Sequence, residues 1–236
     1  MYPKEIILLF IFAILPAVIY AIWIRNTEIY NRERWIPIIV CFLWGATVAV
    51  AASIILEIGL EISITTSFDS ANFIGLSTAI FIAPFVEELV KPFALSTKTV
   101  KNEIDELEDG LIYGAVAGLG FSATENLFYG YSFLSEGLVV FLILIIIRSF
   151  GGCLLHASAT ALTGYGYGRT IINKTSKIRI IPYFIIAVLA HSLFNFLVSY
   201  DIFGALSGLF LALLLVYISI RLLRNKIRKL DLQSKR

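Results

Sequence analysis

The chain has 236 residues, of which 58% are hydrophobic and 15% charged, with a formal net charge of +2 and a mean hydropathy of +0.87. Soluble domains carry about 25% charged residues, and a soluble fold of this composition would expose large apolar patches, so the composition points to one polytopic membrane domain. The two cysteines, Cys41 and Cys153, both sit in apolar segments, which excludes a disulfide framework and a thiolate metal site; a P-loop, a glycine-rich dinucleotide fingerprint and a basic-aromatic stretch for nucleic acid are also absent.

Seven apolar segments follow one another at residues 5–24, 35–56, 71–96, 110–129, 137–168, 180–199 and 203–220. Most have the roughly 20 residues that a helix needs to span the hydrocarbon. They predict an all-α, polytopic transmembrane helical bundle with about seven crossings. The first has only Lys4 before its apolar run and "RNTEIYNRERW" after it, which reads as a retained anchor and not a signal peptide.

Lysine and arginine in the connections set the orientation. The connection after the first segment holds Arg25, Arg32 and Arg34, the third holds Lys98 and Lys101, the fifth, "RTIINKTSKIR", holds four, and the tail from Arg221 holds seven. The second, fourth and sixth connections hold none. This alternation predicts an N-terminus outside and a C-terminus in the cytoplasm. Residues 137–168 are long for one crossing, about 48 Å at 1.5 Å per residue. Two full crossings there would put the following basic groups outside, so one tilted or kinked passage is expected. Residues 1–220 then form the membrane domain, and 221–236 form a basic cytoplasmic tail suited to resting on anionic lipid.

Ionisable groups inside a membrane cost several kcal/mol unless paired or facing water, and this chain carries a set of them. "FVEELVKPF" brings Glu87, Glu88 and Lys91, "GFSATENLFYG" brings Glu125 and Asn126, and the two histidines of the chain are His156 and His191, with Asn195 one turn after the latter. Counted at 1.5 Å per residue from the cytoplasmic end of each segment, Glu87 and His191 lie about 16 Å deep, His156 about 20 Å and Glu125 about 22 Å. Four helices of alternating direction thus bring their costly groups to one layer. Glu87 with Lys91, and His191 with Asn195, are i, i+4 pairs that share a helix face. Two adjacent carboxylates at depth resist ionising together; Lys91 can hold one charged while the other takes a proton from water as a general base. Two histidines and a carboxylate from separate helices could ligate a divalent ion such as Zn²⁺. The same histidines with Asn195 could instead steady an oxyanion.

These residues resemble a known family. "EELVK" resembles the EExxK motif of the PrsW intramembrane proteases, and "GAVAGLGFSATENLFYG" their GxxxGxGF…EN segment. "RSFGGCLLHASATALTGYGYG" resembles their R…H…TA…G segment, and "HSLFNF" their HxxxN-like segment. The resemblance covers residues 80–196, the motif-bearing core. PrsW proteins are similar in turn to the CAAX prenyl endopeptidase and bacteriocin-processing superfamily, whose pattern is EExxR, FxxxH and HxxxN. Here Lys91 stands for that arginine and Glu125 for the FxxxH histidine, which favours PrsW over the CAAX branch. The resemblance implies a multi-pass endopeptidase of the cell membrane, glutamate-type or metallo-type. It would cleave a single-pass membrane protein, such as an anti-sigma factor, near the outer surface. The expected catalytic residues are Glu87, Glu88, Lys91 and Asn195. Glu125, His156 and His191 are the expected metal set, or else hydrogen-bonding catalytic residues. Chemistry near mid-bilayer would need a water-filled cavity open to the outside.

Competing readings remain at the level of the sequence. Intramembrane carboxylates and histidines also make proton relays, so a proton- or cation-coupled transporter is the first alternative. A CAAX-type processing or immunity protein is the second. Glu88 with Lys91 could be a structural ion pair. Gly114, Gly118 and Gly120 read as a close-packing face, and the acidic run from Glu103 to Asp109 as a solvated helix start.

Overall fold

A computed structural model of the chain describes residues 3–65, 71–200 and 204–234. The end of the expected second connection, 66–70, and the residues 201–203 around the start of the expected seventh segment lie outside them. The described residues are helical throughout, joined by short turns, with no strand among them. In order they are α1 (Pro3–Arg25), α2 (Trp35–Leu43), a π-helical stretch (Trp44–Ala49), α3 (Val50–Thr65), α4 (Ala71–Ser77), a second π-helical stretch (Thr78–Ile82) and α5 (Ala83–Val90). A 3₁₀ turn (Lys91–Ser96), α6 (Lys98–Lys101), α7 (Leu107–Leu134), α8 (Leu138–Ile172), a 3₁₀ turn (Lys177–Ile180), α9 (Ile181–Ser199) and α10 (Ala205–Ser234) complete the chain.

Five helical stretches are long and apolar enough to cross a membrane: Lys4–Arg25, Trp35–Ser63, Leu138–Ile172, Lys177–Ser199 and Ala205–Ser234. The other two expected segments are helical as well: residues 71–96 are divided into α4, a π-helical stretch, α5 and a 3₁₀ turn, and 110–129 lie within α7, which carries glycines and polar groups along its length. The α3 helix continues to Thr65, well past the expected end at 56. The long α8 is one unbroken helix of 35 residues. The α10 helix runs through residue 220 without a break, and its last turns bury Leu223, Ile227, Leu230 and Asp231. The basic tail is therefore the end of a packed helix.

The centre of the bundle is α7, whose residues from Glu108 to Ala123 are all buried. Its glycines set how closely its neighbours approach. A Cβ on Gly114 would lie 2.6 Å from the Thr160 carbonyl oxygen, and one on Gly118 would lie 2.2 Å from that of His156. Both distances are far inside contact, so the backbones of α7 and α8 touch along the i, i+4 row that the sequence marks. On the opposite side of α7, a Cβ on Gly120 would lie 2.0 Å from the Phe42 carbonyl oxygen. Lipid contact falls to the outer helices. On α5 and the turn after it, Phe85, Leu89 and Phe93 are exposed at i, i+4, i+8, while Val86, Glu87, Glu88, Val90 and Lys91 face inward.

The basic connections gather at one end. Asp231 near the end of α10 accepts hydrogen bonds from the backbone N–H groups of Ile29 (2.8 Å) and Tyr30 (3.2 Å). Arg34 pairs with Glu103 at 3.4 Å, and Lys226 stands over the ring of Tyr165.

Candidate active site

The chain bends α5 into the bundle by local irregularity. In the π-helical stretch before it, the N–H of Ala83 bonds to Thr78, one residue further back than in an α-helix. Pro84 has no N–H to give to Ala79. The Ala79 carbonyl is thereby left without a backbone donor, and Asn195 Nδ2 supplies one at 2.8 Å. Asn195 thus ties α9 to the start of α5. π-Bulges inside helices occur often at functional sites.

Lys91 Nζ is fully buried and central. It lies 2.8 Å from Glu88 Oε1, 2.9 Å from Glu87 Oε2 and 2.8 Å from His156 Nδ1, with the Phe121 ring centroid 4.4 Å away. Glu88 is saturated: Oε1 also meets His191 Nδ1 at 3.1 Å, and Oε2 accepts from Thr160 Oγ1 at 2.9 Å. Glu87 is not. Lys91 approaches its Oε2 off the direction a hydrogen bond requires, so this buried oxygen has a charged neighbour and no hydrogen bond.

Both imidazoles are held from behind by carboxylates. Glu125 Oε2 is 2.9 Å from His156 Nε2, and Arg148 is 2.9 Å from the same oxygen. Arg148 also donates to Asn126 Oδ1 at 2.9 Å and lies over the Tyr129 ring. A carboxylate at one ring nitrogen fixes the proton there and leaves a lone pair on the other. His156 Nδ1 and His191 Nε2 then face Glu87 Oε2, at 3.7 and 4.0 Å, with the rings edge to face at 4.8 Å. Ligand atoms of Glu87, His156 and His191 all lie within 4.8 Å of one another.

This trio could hold a cation, because the Glu87 oxygen and two imidazole nitrogens converge and the far nitrogens have carboxylate partners; the His156 Nδ1 lone pair accepts from Lys91 Nζ at 2.8 Å, so an ion there would displace that contact. Of the expected metal set, His156 and His191 belong to the trio. Glu125 stands one step back, on the far side of the His156 ring. Of the expected catalytic set, Glu87 faces the centre, Glu88 and Lys91 brace it, and Asn195 is bonded to Ala79.

A cavity of about 240 Å³ adjoins the trio, lined among others by Glu57, Glu87, Glu125, Tyr129, His191 and Ser199. Tyr129 and Ser199 lie toward the end of the bundle opposite the basic connections. Glu57 was missed by the sequence reading. It lies on the part of α3 that was expected to be a loop, half-buried and facing both Glu87 and Glu125 across open space. The signal was there: "LEIGLEIS" continues the apolar helical pattern beyond residue 56.

Comparison with known proteins agrees with this geometry. A family model described as PrsW family intramembrane metalloprotease matches residues 33–223. The chain belongs to the PrsW family. It is 31% identical over 125 residues to a protein named Protease PrsW from Clostridioides difficile (strain 630). That match covers 52% of this chain and 51% of the relative, so the chain spans about half the length of the curated relative it matches. No solved structure matches the chain. Family membership and the apolar helices make this a multi-pass membrane protein.

Proposed function

We propose that this PrsW-family chain is an intramembrane endopeptidase in which Glu87, His156 and His191 hold a divalent metal ion such as Zn²⁺ beside the cavity. The observation that carries the reading is the Glu87 Oε2 atom, buried without a hydrogen bond and facing two carboxylate-backed imidazoles. Two histidines and one glutamate make a donor set used by catalytic zinc, with room left for water. A metal held there would polarise the scissile carbonyl and acidify a bound water.

The protein's own groups would do the rest. Glu88 fixes His191 and keeps Lys91 charged. Glu125, itself paired with Arg148, fixes His156. Glu57 faces the reacting volume and is bonded to nothing among the described residues, which suits it to receive a proton from attacking water. The Arg148 guanidinium borders the same cavity and offers positive charge to a developing oxyanion. The reading takes the substrate to be a single-pass membrane protein, cut within the bundle near the face opposite the basic connections. Seven crossings with the N-terminus outside agree with the gathering of the basic connections at one end. A cavity reaching toward the opposite end agrees with water entering from outside.

The test is cleavage of a single-pass reporter protein in proteoliposomes, with metal content measured on the same preparation. Chelation should abolish cleavage and Zn²⁺ should restore it. Glu87→Gln should fold normally, lose the metal and lose activity by at least about 10²-fold, the upper end of what loss of a mere outer-shell partner costs. Full activity in protein free of metal would overturn the metal assignment. A Glu87→Gln variant cleaving at the wild-type rate would overturn the site.

A further inference from the structure

A second group of buried carboxylates lies at the opposite end of the molecule, where the connection after α1, the start of α7 and the end of α10 meet. It comprises Glu28, Glu33, Glu108, Asp109 and Asp231, all at most 6% exposed. The acidic run before α7 was expected to be solvated, yet its last two members point inward. No lysine or arginine among the described residues forms an ion pair with any of the five. The nearby arginines are engaged elsewhere: Arg25 Nε donates to the backbone oxygen of Glu33 (2.7 Å), Arg32 Nε to that of Glu28 (3.3 Å), and Arg224 Nε to Thr27 Oγ1 (3.0 Å).

Half of the group satisfies itself. The Glu33 carboxyl lies against that of Asp109 and accepts a short bond from the Tyr113 hydroxyl, and Asp109 Oδ2 accepts the N–H groups of Asp105 and Glu106. The other half does not. Glu28 Oε2 accepts the N–H of Glu33 at 3.0 Å, but Glu28 Oε1 and Glu108 Oε1 are buried with no hydrogen-bond partner among the described residues. Glu28 is 0% and Glu108 2% exposed. Both carboxylates converge on Asp231, with ligand atoms of the three within 4.8 Å of one another. Calcium sits about 2.3–2.6 Å from its oxygen ligands, so oxygens on opposite sides of it are about 5 Å apart. The spacing is that of a cation's coordination shell.

We propose that Glu28, Glu108 and Asp231 form a second metal site, separate from the Glu87 centre, which takes a hard divalent cation: Mg²⁺, Ca²⁺ or Mn²⁺. All-oxygen donors without nitrogen or sulfur select such ions over zinc. The three ligands come from the α1–α2 connection, α7 and α10, so an ion there joins three segments that are remote in sequence. It also supplies the positive charge that the arginines withhold. The Asp231 oxygens already accept two backbone N–H groups and keep further lone pairs for an ion.

Mn²⁺ is the probe, counted by electron paramagnetic resonance on detergent-purified protein whose Glu87 centre has first been loaded with Zn²⁺. The expected result is one Mn²⁺ per chain, displaced by Ca²⁺ or Mg²⁺, with the thermal midpoint raised by about 5–11 °C at a free Mn²⁺ concentration about 100 times its dissociation constant, the shift that ligand linkage gives a chain of this size. Glu28→Gln and Glu108→Gln should each weaken Mn²⁺ binding at least tenfold while raising the midpoint of metal-free protein, since each removes an unpaired buried charge. Glu87→Gln should leave this Mn²⁺ in place, which separates the proposal from the fate of the protease reading. Absence of saturable Mn²⁺ binding to the wild-type chain would overturn it, whatever the variants do. Binding undiminished in both glutamine variants, or lost in Glu87→Gln alone, would overturn it equally.

Discussion

Gly118→Ala should damage the site without replacing any of its side chains. The added Cβ would lie 2.2 Å from the His156 carbonyl oxygen and 2.6 Å from its carbon, whereas ordinary contact begins near 3.4 Å. The obstacle is backbone on a helix that cannot rotate locally, so α8 must part from α7 by about 1 Å at His156. That shift is enough to spoil a 2.9 Å contact between His156 and Glu125 and to move Nδ1 relative to Glu87. Misplacement by about 1 Å can cost about 10²-fold in rate, and overpacking costs about 1–3 kcal/mol in stability. Gly164→Ala is the control. Its Cβ would lie 2.1 Å from the Gly110 carbonyl oxygen, in the same interface but two turns of α8 from His156. Both variants should melt earlier by similar amounts. Only Gly118→Ala should lose about 10²-fold in reporter cleavage per folded molecule, together with zinc affinity. Equal loss of activity in the two variants would refute the reasoning, because it would make the effect one of stability alone.

Asn195→Leu removes the donor that the Ala79 carbonyl takes in place of a backbone N–H. Leaving that carbonyl unsatisfied costs about 1–3 kcal/mol, so the thermal midpoint should fall clearly, whereas Asn195→Asp in its protonated form should recover part of the loss; an unchanged midpoint for Asn195→Leu would mean that the carbonyl has another donor. Glu33 is held well above the usual carboxylate range, first by burial and then by the Asp109 carboxylate beside it. A raised carboxyl adds stability that is complete below its unfolded value of about 4.3 and is lost as pH climbs through its folded value. Glu33→Gln keeps the acceptor for Tyr113 and a donor for Asp109, so in chelator its midpoint should fall less than that of the wild type between neutral and alkaline pH; parallel curves would show that Glu33 is not the titrating group.

The sequence exposed the ionisable residues of the site because charge is conspicuous in an apolar helix. Glu87, Glu88, Lys91, Glu125, His156 and His191 needed no pattern beyond that, and helix counting brought them to one depth. Their division of labour was not legible. Whether Glu87 or Glu125 faces the imidazole lone pairs depends on the rotation of α5 and α7 about their axes. That rotation is set by Gly118 against His156 and by Gly120 against Phe42, contacts between residues distant in sequence. Asn195 was read from its i, i+4 spacing to His191. Its observed partner is a carbonyl freed by the π-helical register before Pro84, and no periodicity reports that. Glu57, Glu108 and Asp109 were read as loop or helix-start charges, because a charge near a helix end is usually solvated. What covers them, Glu57 only partly, is α3 running beyond its expected end and the last turns of α10 packing against the α1–α2 connection.

The two acidic groups also explain each other by contrast. At the site, three carboxylates (Glu87, Glu88 and Glu125) meet two fixed cations, Lys91 and Arg148. Arg148 pairs with Glu125, and Lys91 is shared between Glu88 and Glu87 at 2.8 and 2.9 Å, so the excess negative charge lies on that pair and on Glu57 across the cavity. Fixed cations therefore bring the site close to neutrality and leave one vacancy in its hydrogen bonding, aimed at the cavity. A group so arranged can persist inside a bilayer, where net charge is expensive, and still attract one further cation. At the other end, the arginines turn to backbone oxygens and a hydroxyl, and five carboxylates have no partner cation among the described residues. Ions and protons from the adjacent water can meet that need, which a group at mid-bilayer could not rely on. The placement of lysine and arginine thus follows from where water is. Side chains supply the positive charge deep in the bundle, and at the basic end the solvent can supply it.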